Sequence, residues 1–383
     1  MFNGSVSLQG GGIRGRPTVK RLASVIDPAL DQLYRDMAAA GLMPLWTQRE
    51  DLMTTVPQPD AVAHHWRWAD LLPLAERAGA QVAVGRGGER RALALANPGL
   101  AGLPYATGTL WAAIQYLGGG EEAPAHRHPQ NAFRFVLHGA GTWTVVDGDP
   151  IAMRRGDLLL TPGMAWHEHH NTADQPMIWL DGLDIPLVRE LNAGFFEFGP
   201  ERISDRATPA NSRGERLWAH PGLRPLGVEP AADAASPLAA YRWAHTDAAL
   251  TCQLLLEREG QPGVLGPGHA AVRFVNPATG GDPLATLRME MHRLTPGSSA
   301  HWPPCTGSAV WQVFQGEGDA LVGTRRFPLT SGDLLAIPPW TGWRLEASSP
   351  LDLFTFTDRP VYEALRLLRR GALTDDQDRE ESP

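Results

Sequence analysis

The sequence predicts an all-β-dominated chain: two jelly-roll β-barrels in tandem, preceded by an N-terminal helical arm. Three observations carry that reading. Short apolar and aromatic runs recur from residue 89 onward, punctuated by Gly, Asp and Pro, and few stretches show helical periodicity. A skeleton of Gly120, Ala132 and Gly139 returns as Gly297, Ala309 and Gly316 at an offset of 177, and Gly156, Asp157 and Pro162 return as Gly332, Asp333 and Pro338 at an offset of 176. Such a return marks an internal duplication. Two histidine pairs, His126 with His128 and His167 with His169, are each spaced by two, so in extended segments the members of each pair share a face and the pairs can converge.

Composition agrees with this class. The 383 residues, 43% hydrophobic and 20% charged, suffice for a large core and two domains. A net charge of −8 argues against a nucleic-acid partner, because phosphate binding needs a basic face. No run of about 18 apolar residues exists, so no membrane span is expected. Arg14, Arg16, Lys20 and Arg21 are not followed by the apolar segment of a secretory signal. With only Cys252 and Cys305 present, a reducing cytoplasm is the expected compartment.

Taken in order, residues 1–27 are rich in Gly, Ser and Arg and read as a disordered extension. A helical arm follows over 28–88. Asp27 is placed to cap a helix with Pro28 at its first position, Leu30, Leu33, Tyr34 and Met37 form an apolar stripe, and Gly41 closes it. Residues 46–53 and the Pro-rich stretch after them read as part of that arm, and Trp66-Arg67-Trp68 with Leu71, Leu72 and Leu74 as a short second helix. The first barrel is expected over 89–196, with strands at 91–97, 109–117, 133–137, 141–146, 157–161 and 177–183 and a hairpin at Asp147-Gly148. Residues 197–283 read as a linking segment with strand character near Gln253 to Leu256. The second barrel is expected over 284–360, and residues 361–383 as a helix and a charged, disordered tail.

Neutral imidazole is a common ligand for divalent transition metals, and three on a rigid wall leave positions open for substrate or oxygen. The spacing of Gly120, His126, His128 and Gly139, and of Gly156, Pro162, His167 and Asn171, resembles the two motifs of the cupin family. Two positions depart: Ala132 stands where the motif has Glu, and Met164 where it has its second Gly. Without that carboxylate a bound metal keeps its full double positive charge and suits an anionic chelating substrate. In the second copy Pro303 and Cys305 fall at the places of His126 and His128, Trp343 at His167 and Ala347 at Asn171. That barrel is expected to be structural and without metal, its core filled partly by Trp311 and Trp343.

Further stretches are Arg90-Arg91 leading to Asn97-Pro98-Gly99-Leu100, Trp111 with Gln115, Asn131-Ala132-Phe133-Arg134-Phe135, Trp166-His167-Glu168-His169, and Asp181. Together with Ala125-His126-Arg127-His128 they resemble the gentisate 1,2-dioxygenase family of ring-cleaving dioxygenases, which includes salicylate and 1-hydroxy-2-naphthoate dioxygenases. The resemblance implies a bicupin, a homotetramer, with one Fe(II) per chain held by His126, His128 and His167. It implies a small aromatic carboxylate and O2 as reactants, gentisate being opened to maleylpyruvate. Arg134 and His169 are the implied catalytic residues, and Arg134, Arg90, Gln115, Trp111, His169 and Asp181 the implied substrate-binding set.

Each assignment has a plainer counterpart. Arg134 can be a solvated arginine on the barrel face, Arg91 can exchange roles with Arg90, and Trp111 can be ordinary barrel packing. His169 can be a fourth ligand or a core histidine, whereas Glu168 and His170 should point away from the metal. Asp181 can orient a histidine or pair with an arginine. The competing functions are salicylate or 1-hydroxy-2-naphthoate cleavage, and a non-catalytic ligand-binding cupin in which metal only stabilises the barrel. A metal isomerase or hydrolase would call for a carboxylate ligand or base pair that the sequence does not display.

Overall fold

The structure is a computed structural model that describes residues 27–52, 54–83, 91–200, 203, 210–228 and 235–371. The expectations for residues 1–26, for Arg90 and for the tail beyond residue 371 fall outside the described residues. Two compact units divide the chain between Gln58 and Pro59. In the first, Asp27 caps α1 (Pro28–Ala39) by accepting from the Ala29 N–H at 3.0 Å, with Pro28 at the first position as its fixed φ favours. Gly41 leaves the helix at φ +72°. The apolar stripe is uncovered, Leu30 and Leu33 being 41% and 44% exposed. A second helix, α2 (Leu45–Leu52), falls within the expected helical arm.

The second unit begins with β1 (His64–Trp66) and α3 (Trp68–Gln81), then β2 (Ala92–Ala94), β3 (Trp111–Leu117), β4 (Glu122–Arg127) and β5 (Ala132–His138). It continues through β6 (Ala140–Val146), β7 (Asp149–Arg154), β8 (Leu158–Thr161), β9 (His167–Asn171) and β10 (Met177–Leu183). Between the barrels lie α4 (Ile185–Glu190), β11 (Glu197–Phe198), α5 (Arg213–Trp218), β12 (Ala240–Tyr241) and α6 (Trp243–Arg258). The rest is β13 (His269–Arg273), β14 (Arg288–Leu294), β15 (Ser299–Trp302), β16 (Ala309–Gln315), β17 (Glu317–Val322), β18 (Arg325–Thr330), β19 (Leu334–Ile337), β20 (Trp343–Ala347), β21 (Leu351–Thr357) and α7 (Arg359–Ala364).

In the first barrel the sheet β12-β8-β5-β10-β3-β2 faces β11-β4-β9-β6-β7; in the second, β1-β19-β16-β21-β14-β13 faces β15-β20-β17-β18. Strand alternation gives each six-stranded sheet two apolar faces. One lines its own barrel and the other packs against the sister sheet, where Phe135 stacks on Phe354 with centroids 4.1 Å apart and Phe133 meets Phe356 edge-on. Full burial of each such ring contributes about 1.5–3 kcal/mol, so the two barrels share one core. The Asp147-Gly148 hairpin forms as expected, both residues at positive φ (48° and 76°), as a type I′ turn requires.

The duplication reaches further than the motifs suggested, and this moves the expected boundaries. Strand β1, within the presumed helical arm, pairs with β19 of the second barrel, and β12, within the presumed linker, pairs with β8 of the first. Each barrel therefore receives the segment that precedes the other. The repeated Gly-Asp pair explains why. Asp157 accepts the Trp243 N–H that opens α6 at 2.9 Å, and Asp333 accepts the Trp68 N–H that opens α3 at 2.8 Å, so each carboxylate caps a helix of the exchanged segment. A Cβ on Gly156 or Gly332 would lie 2.8 or 2.3 Å from Cγ of Trp243 or Trp68, and both glycines have positive φ. Residues 253–256, expected as strand, belong to α6, whose buried Leu250 and Leu254 recur at a spacing of four. Strand β13 pairs with β14, so the second sheet starts before residue 284. The expected terminal helix over 361–370 is the shorter α7, with Arg366 beyond it at φ 57°.

Across the shared core, Thr109 donates to Asp358, and Ser308 donates to the same carboxylate through its N–H (2.9 Å) and hydroxyl (2.8 Å). Burial pushes the Asp358 carboxyl up to about 6, these hydrogen bonds offsetting only part of the shift. The folded chain holds this proton more tightly than the unfolded one. The contribution to stability is therefore complete below the unfolded value of about 4 and is lost as pH rises through about 6. Asp358→Asn is expected to flatten the stability profile between these values and to gain up to about 3 kcal/mol at neutral pH. Denaturant unfolding of both proteins across that range is the check, and parallel profiles would contradict it.

Candidate metal centre

The centre starts from a proline in a strand. Pro124 has no N–H for the ladder, and the β4–β9 pairing skips from Ala123 opposite His169 to His126 opposite His167. The bulge frees the Pro124 carbonyl, which accepts from Nδ1 of His126 at 3.0 Å, while the Ala125 carbonyl accepts from the Gly199 N–H at 2.8 Å. His126 and His167 then stand side by side on neighbouring strands, ring centroids 4.1 Å apart. His128 joins them from the turn after β4, its ring 5.0 Å from His167.

Each of the three rings is oriented in the same way. Nδ1 of His128 lies 3.1 Å from the Gln130 carbonyl and Nδ1 of His167 lies 3.0 Å from the Ala165 carbonyl, matching His126. A carbonyl only accepts, so Nδ1 carries the proton and the ligand lone pair sits on Nε2. Nε2 of His167 is buried without a hydrogen-bond partner, and one ring nitrogen from each histidine lies within 4.8 Å of the others. Burial, followed by the nearby Arg134 charge and the two sister imidazoles, holds His167 well below the ordinary histidine range. Three neutral nitrogens facing one point fit a divalent transition metal.

Opposite this wall, alternation along the other sheet places Trp111, Ala113, Gln115 and Leu117 of β3, Arg134 and Val136 of β5, and Trp179 and Asp181 of β10 toward the barrel interior. The strand carrying His126 does not run on to Arg134. A turn intervenes and β5 lies in the facing sheet, so the residues meet across the barrel. Arg134 is 4% exposed, which excludes a solvated arginine; it donates to the Thr161 hydroxyl and its Nε lies 3.5 Å from Asp181. Asp181 also accepts from Trp179 Nε1 at 2.9 Å. Burial pushes its carboxyl up to about 6 despite the Arg134 charge. Asp181 is therefore the partner of an arginine, not of a histidine.

His169 is buried, its ring 6.0 Å from His167, and its Nδ1 has no hydrogen-bond partner. Burial first, then Arg134, keeps it well below its usual range. Gln115 is buried on the interior face, and Trp111, on the same face at the first residue of β3, packs against the Ala61, Leu100 and Tyr105 cluster. Arg91 cannot stand in for Arg90: it is buried, bonds the Gly79 carbonyl at 2.8 Å and meets Glu121. Glu168 and His170 point outward, Glu168 accepting from the Ile203 N–H at 3.0 Å and His170 stacking on Trp143.

Phe196, which the sequence reading passed over, stacks on the His126 ring with centroids 5.0 Å apart. Strand β11 pairs with β4 and delivers it; the alternation of Phe196 and Phe198 was the available signal. Met164 keeps the left-handed φ (68°) of the Gly it replaces, and its N–H donates to the His128 carbonyl at 2.7 Å. In the second barrel Trp340 repeats this at φ 60°, bonding the Cys305 carbonyl at 2.6 Å. There the ladder is unbulged and pairs Trp302 with Trp343, so Trp302, not Pro303, takes the place of His126. The two indoles stack 4.1 Å apart.

Fold and site together define a bicupin whose first barrel gathers three histidines as a candidate metal site. The Cupin domain family matches residues 113–183. A gentisate 1,2-dioxygenase of Streptomyces sp is 63% identical over 89% of this chain and 94% of its own length. A 5-aminosalicylate 1,2-dioxygenase of Comamonas sp is 35% identical over 90% of each. The crystal structure of salicylate 1,2-dioxygenase from Pseudoaminobacter salicylatoxidans with gentisate superposes with a TM-score of 0.88 at 53% identity, covering 93% of this chain and 97% of that one. The chain belongs to the gentisate 1,2-dioxygenase family.

His126→Ala is expected to abolish metal retention while leaving the barrel folded. Elemental analysis of the purified variant beside its circular dichroism spectrum checks this, and full metal content would remove His126 from the ligand set.

Proposed function

We propose that this protein is an Fe(II)-dependent gentisate 1,2-dioxygenase. It joins O2 to 2,5-dihydroxybenzoate across the bond between the carboxyl-bearing carbon and the adjacent hydroxylated carbon, both oxygen atoms entering maleylpyruvate. The observation that carries the reading is the trio of His126, His128 and His167 with Nδ1 committed to carbonyls, facing a buried arginine in a chain 63% identical to such an enzyme. Ferrous iron held by the trio supplies the Lewis acidity and redox activity that this chemistry needs.

The chain's own residues do the rest. Arg134 presents a fixed positive charge to the barrel interior, felt at both His167 and His169, and binds the ring carboxylate. His169 offers a buried, unpartnered Nδ1 for a hydrogen bond with a ring hydroxyl. Gln115 and Trp179 bound the ring, and Phe196 shields the His126 side. Dry walls strengthen each of these polar contacts by lowering the local dielectric. Arg90 and Trp111 belong to the same proposal as further substrate contacts.

Assembly as a homotetramer in the cytoplasm completes the reading. The uncovered apolar stripe on α1 and two unpaired cysteines support it, and no helix among the described residues is long and apolar enough to cross a membrane. Light scattering is expected to return the mass of four chains.

Anaerobically iron-loaded protein should consume O2 with gentisate and develop the ultraviolet absorbance of a ring-opened product. Turnover confined to salicylate or 1-hydroxy-2-naphthoate would redirect the substrate assignment, and none with any hydroxybenzoate would leave a ligand-binding module. Arg134→Ala should keep its iron and lose roughly 10- to 100-fold in kcat/KM, the worth of a charge-assisted contact. Unchanged kcat/KM would remove Arg134 from substrate binding.

A further inference from the structure

The Thr109, Ser308 and Asp358 clamp has a counterpart on the other side of the shared core. At an offset of 177, Thr286 takes the place of Thr109 and Ser308 that of Asn131, while Asp358 corresponds to Asp184 at an offset of 174. Thr286, two residues before β14 of the second barrel, donates its hydroxyl to Asp184 of the first. Asn131 donates its N–H to Asp184 Oδ1 at 3.0 Å, and its Nδ2 to Thr286 Oγ1 at 3.1 Å and Asp184 Oδ2 at 3.3 Å.

The two clamps differ in what hangs from them. Asn131 also accepts the Gly163 N–H on its Oδ1 at 3.1 Å, so its side chain ties three segments together. On one side of it lies Gln130, whose carbonyl orients His128. Beyond Gly163 lies Met164, whose N–H holds the His128 backbone carbonyl. Both ends of His128 are thus fastened to residues adjoining the Asn131 knot. Ser308, at the equivalent place, serves a barrel in which Cys305 replaces the ligand.

We propose that Thr286, a residue of the second barrel, is a positioning residue for the metal ligand His128, acting through Asp184 and Asn131. Its hydroxyl both donates to Asp184 and accepts from Asn131, so it fixes the amide's orientation and with it the Gln130 carbonyl that keeps the proton on Nδ1 of His128. The second barrel thereby takes part in the first barrel's centre without lending it a ligand. The inference rests on the trio being the metal site.

The test uses the full chain and reads Fe(II) affinity by anaerobic competition with a chelator, together with melting temperature. Thr286→Val removes the hydroxyl at nearly constant volume and is expected to weaken Fe(II) binding by roughly 10- to 100-fold, the usual cost of losing a group that orients a ligand. Thr286→Ser should restore it. Thr109→Val breaks the mirror clamp and should lower the melting temperature without changing affinity. Should valine at 286 disturb folding, Thr286→Ala removes the same hydroxyl without added bulk. Equal loss of affinity in both valine variants, or none in Thr286→Val, overturns the proposal alone. A wild-type chain that binds no Fe(II) overturns the metal reading as well.

Discussion

The centre depends on three backbone carbonyls. Pro124, Gln130 and Ala165 each hold the Nδ1 of one histidine, and by doing so they decide which nitrogen of each ring is left to bind a metal. An imidazole in water interconverts tautomers and rotates freely, so a site built without such partners would have to order its ligands at the moment of binding. Here that ordering is done by folding. Two of the carbonyls precede their histidine by two residues in extended chain, and the third follows by two in a turn, so the orientation is locally encoded wherever the backbone is held. The Pro124 bulge and the left-handed Met164 are what hold it. A non-glycine residue in that conformation costs about 1–2 kcal/mol, and the surrounding barrel sustains it.

Rigidity on this scale comes from duplication. The two six-stranded sheets share one core, and each barrel takes up the strand and helix that precede the other, seated on a Gly-Asp turn by a tryptophan. Separating the barrels would expose the phenylalanine layer and strip Asp157 and Asp333 of the helix N-termini they cap. The second copy has kept the Trp340–Cys305 backbone bond, the counterpart of Met164–His128, while stacked tryptophans fill the space where ligands would converge. The backbone geometry of this fold therefore does not need a metal to form, which is what a preformed centre in the first copy requires.

The sequence made the convergence of the histidine trio legible because its spacing follows strand alternation, a rule that acts within one segment. His126, His167 and the outward Glu168 and His170 followed from it, whereas His128 reaches the trio from the turn just past β4. What it left dark were relations between segments. Asp181 offered two readings until the β5–β10 register set it opposite Arg134. Arg91 looked interchangeable with Arg90 until α3 supplied the Gly79 carbonyl that buries it. Residues 253–256 are apolar in a run that suits strand or helix alike, and only the exchanged packing of α6 decides. Trp302 was displaced by one position because a bulge adds a residue to one copy and not the other. Phe196 immediately precedes a two-residue strand, Glu197–Phe198, too short to announce itself against the surrounding loop.

The charge balance of the barrel interior follows from the same substitutions. With Ala132 where the cupin motif carries Glu, the trio contributes no charge, and a divalent ion would enter uncompensated. Arg134 adds a further buried cation on the facing wall. Asp181 is the carboxylate set against it, 3.5 Å from its Nε, and although burial raises that group to about 6 it still offsets the arginine near neutrality, so the charge left over would be that of a bound ion. Burying a charge without a partner costs several kcal/mol, so a divalent ion held here would favour a small anion with one oxygen for the metal side and another for Arg134. A carboxylate beside a hydroxyl on a flat ring meets that demand with little conformational entropy to lose. On the proposed reading the specificity of the site begins with a missing glutamate: Ala132 omits the ligand that would have neutralised the metal, and the substrate's own charge would take its place.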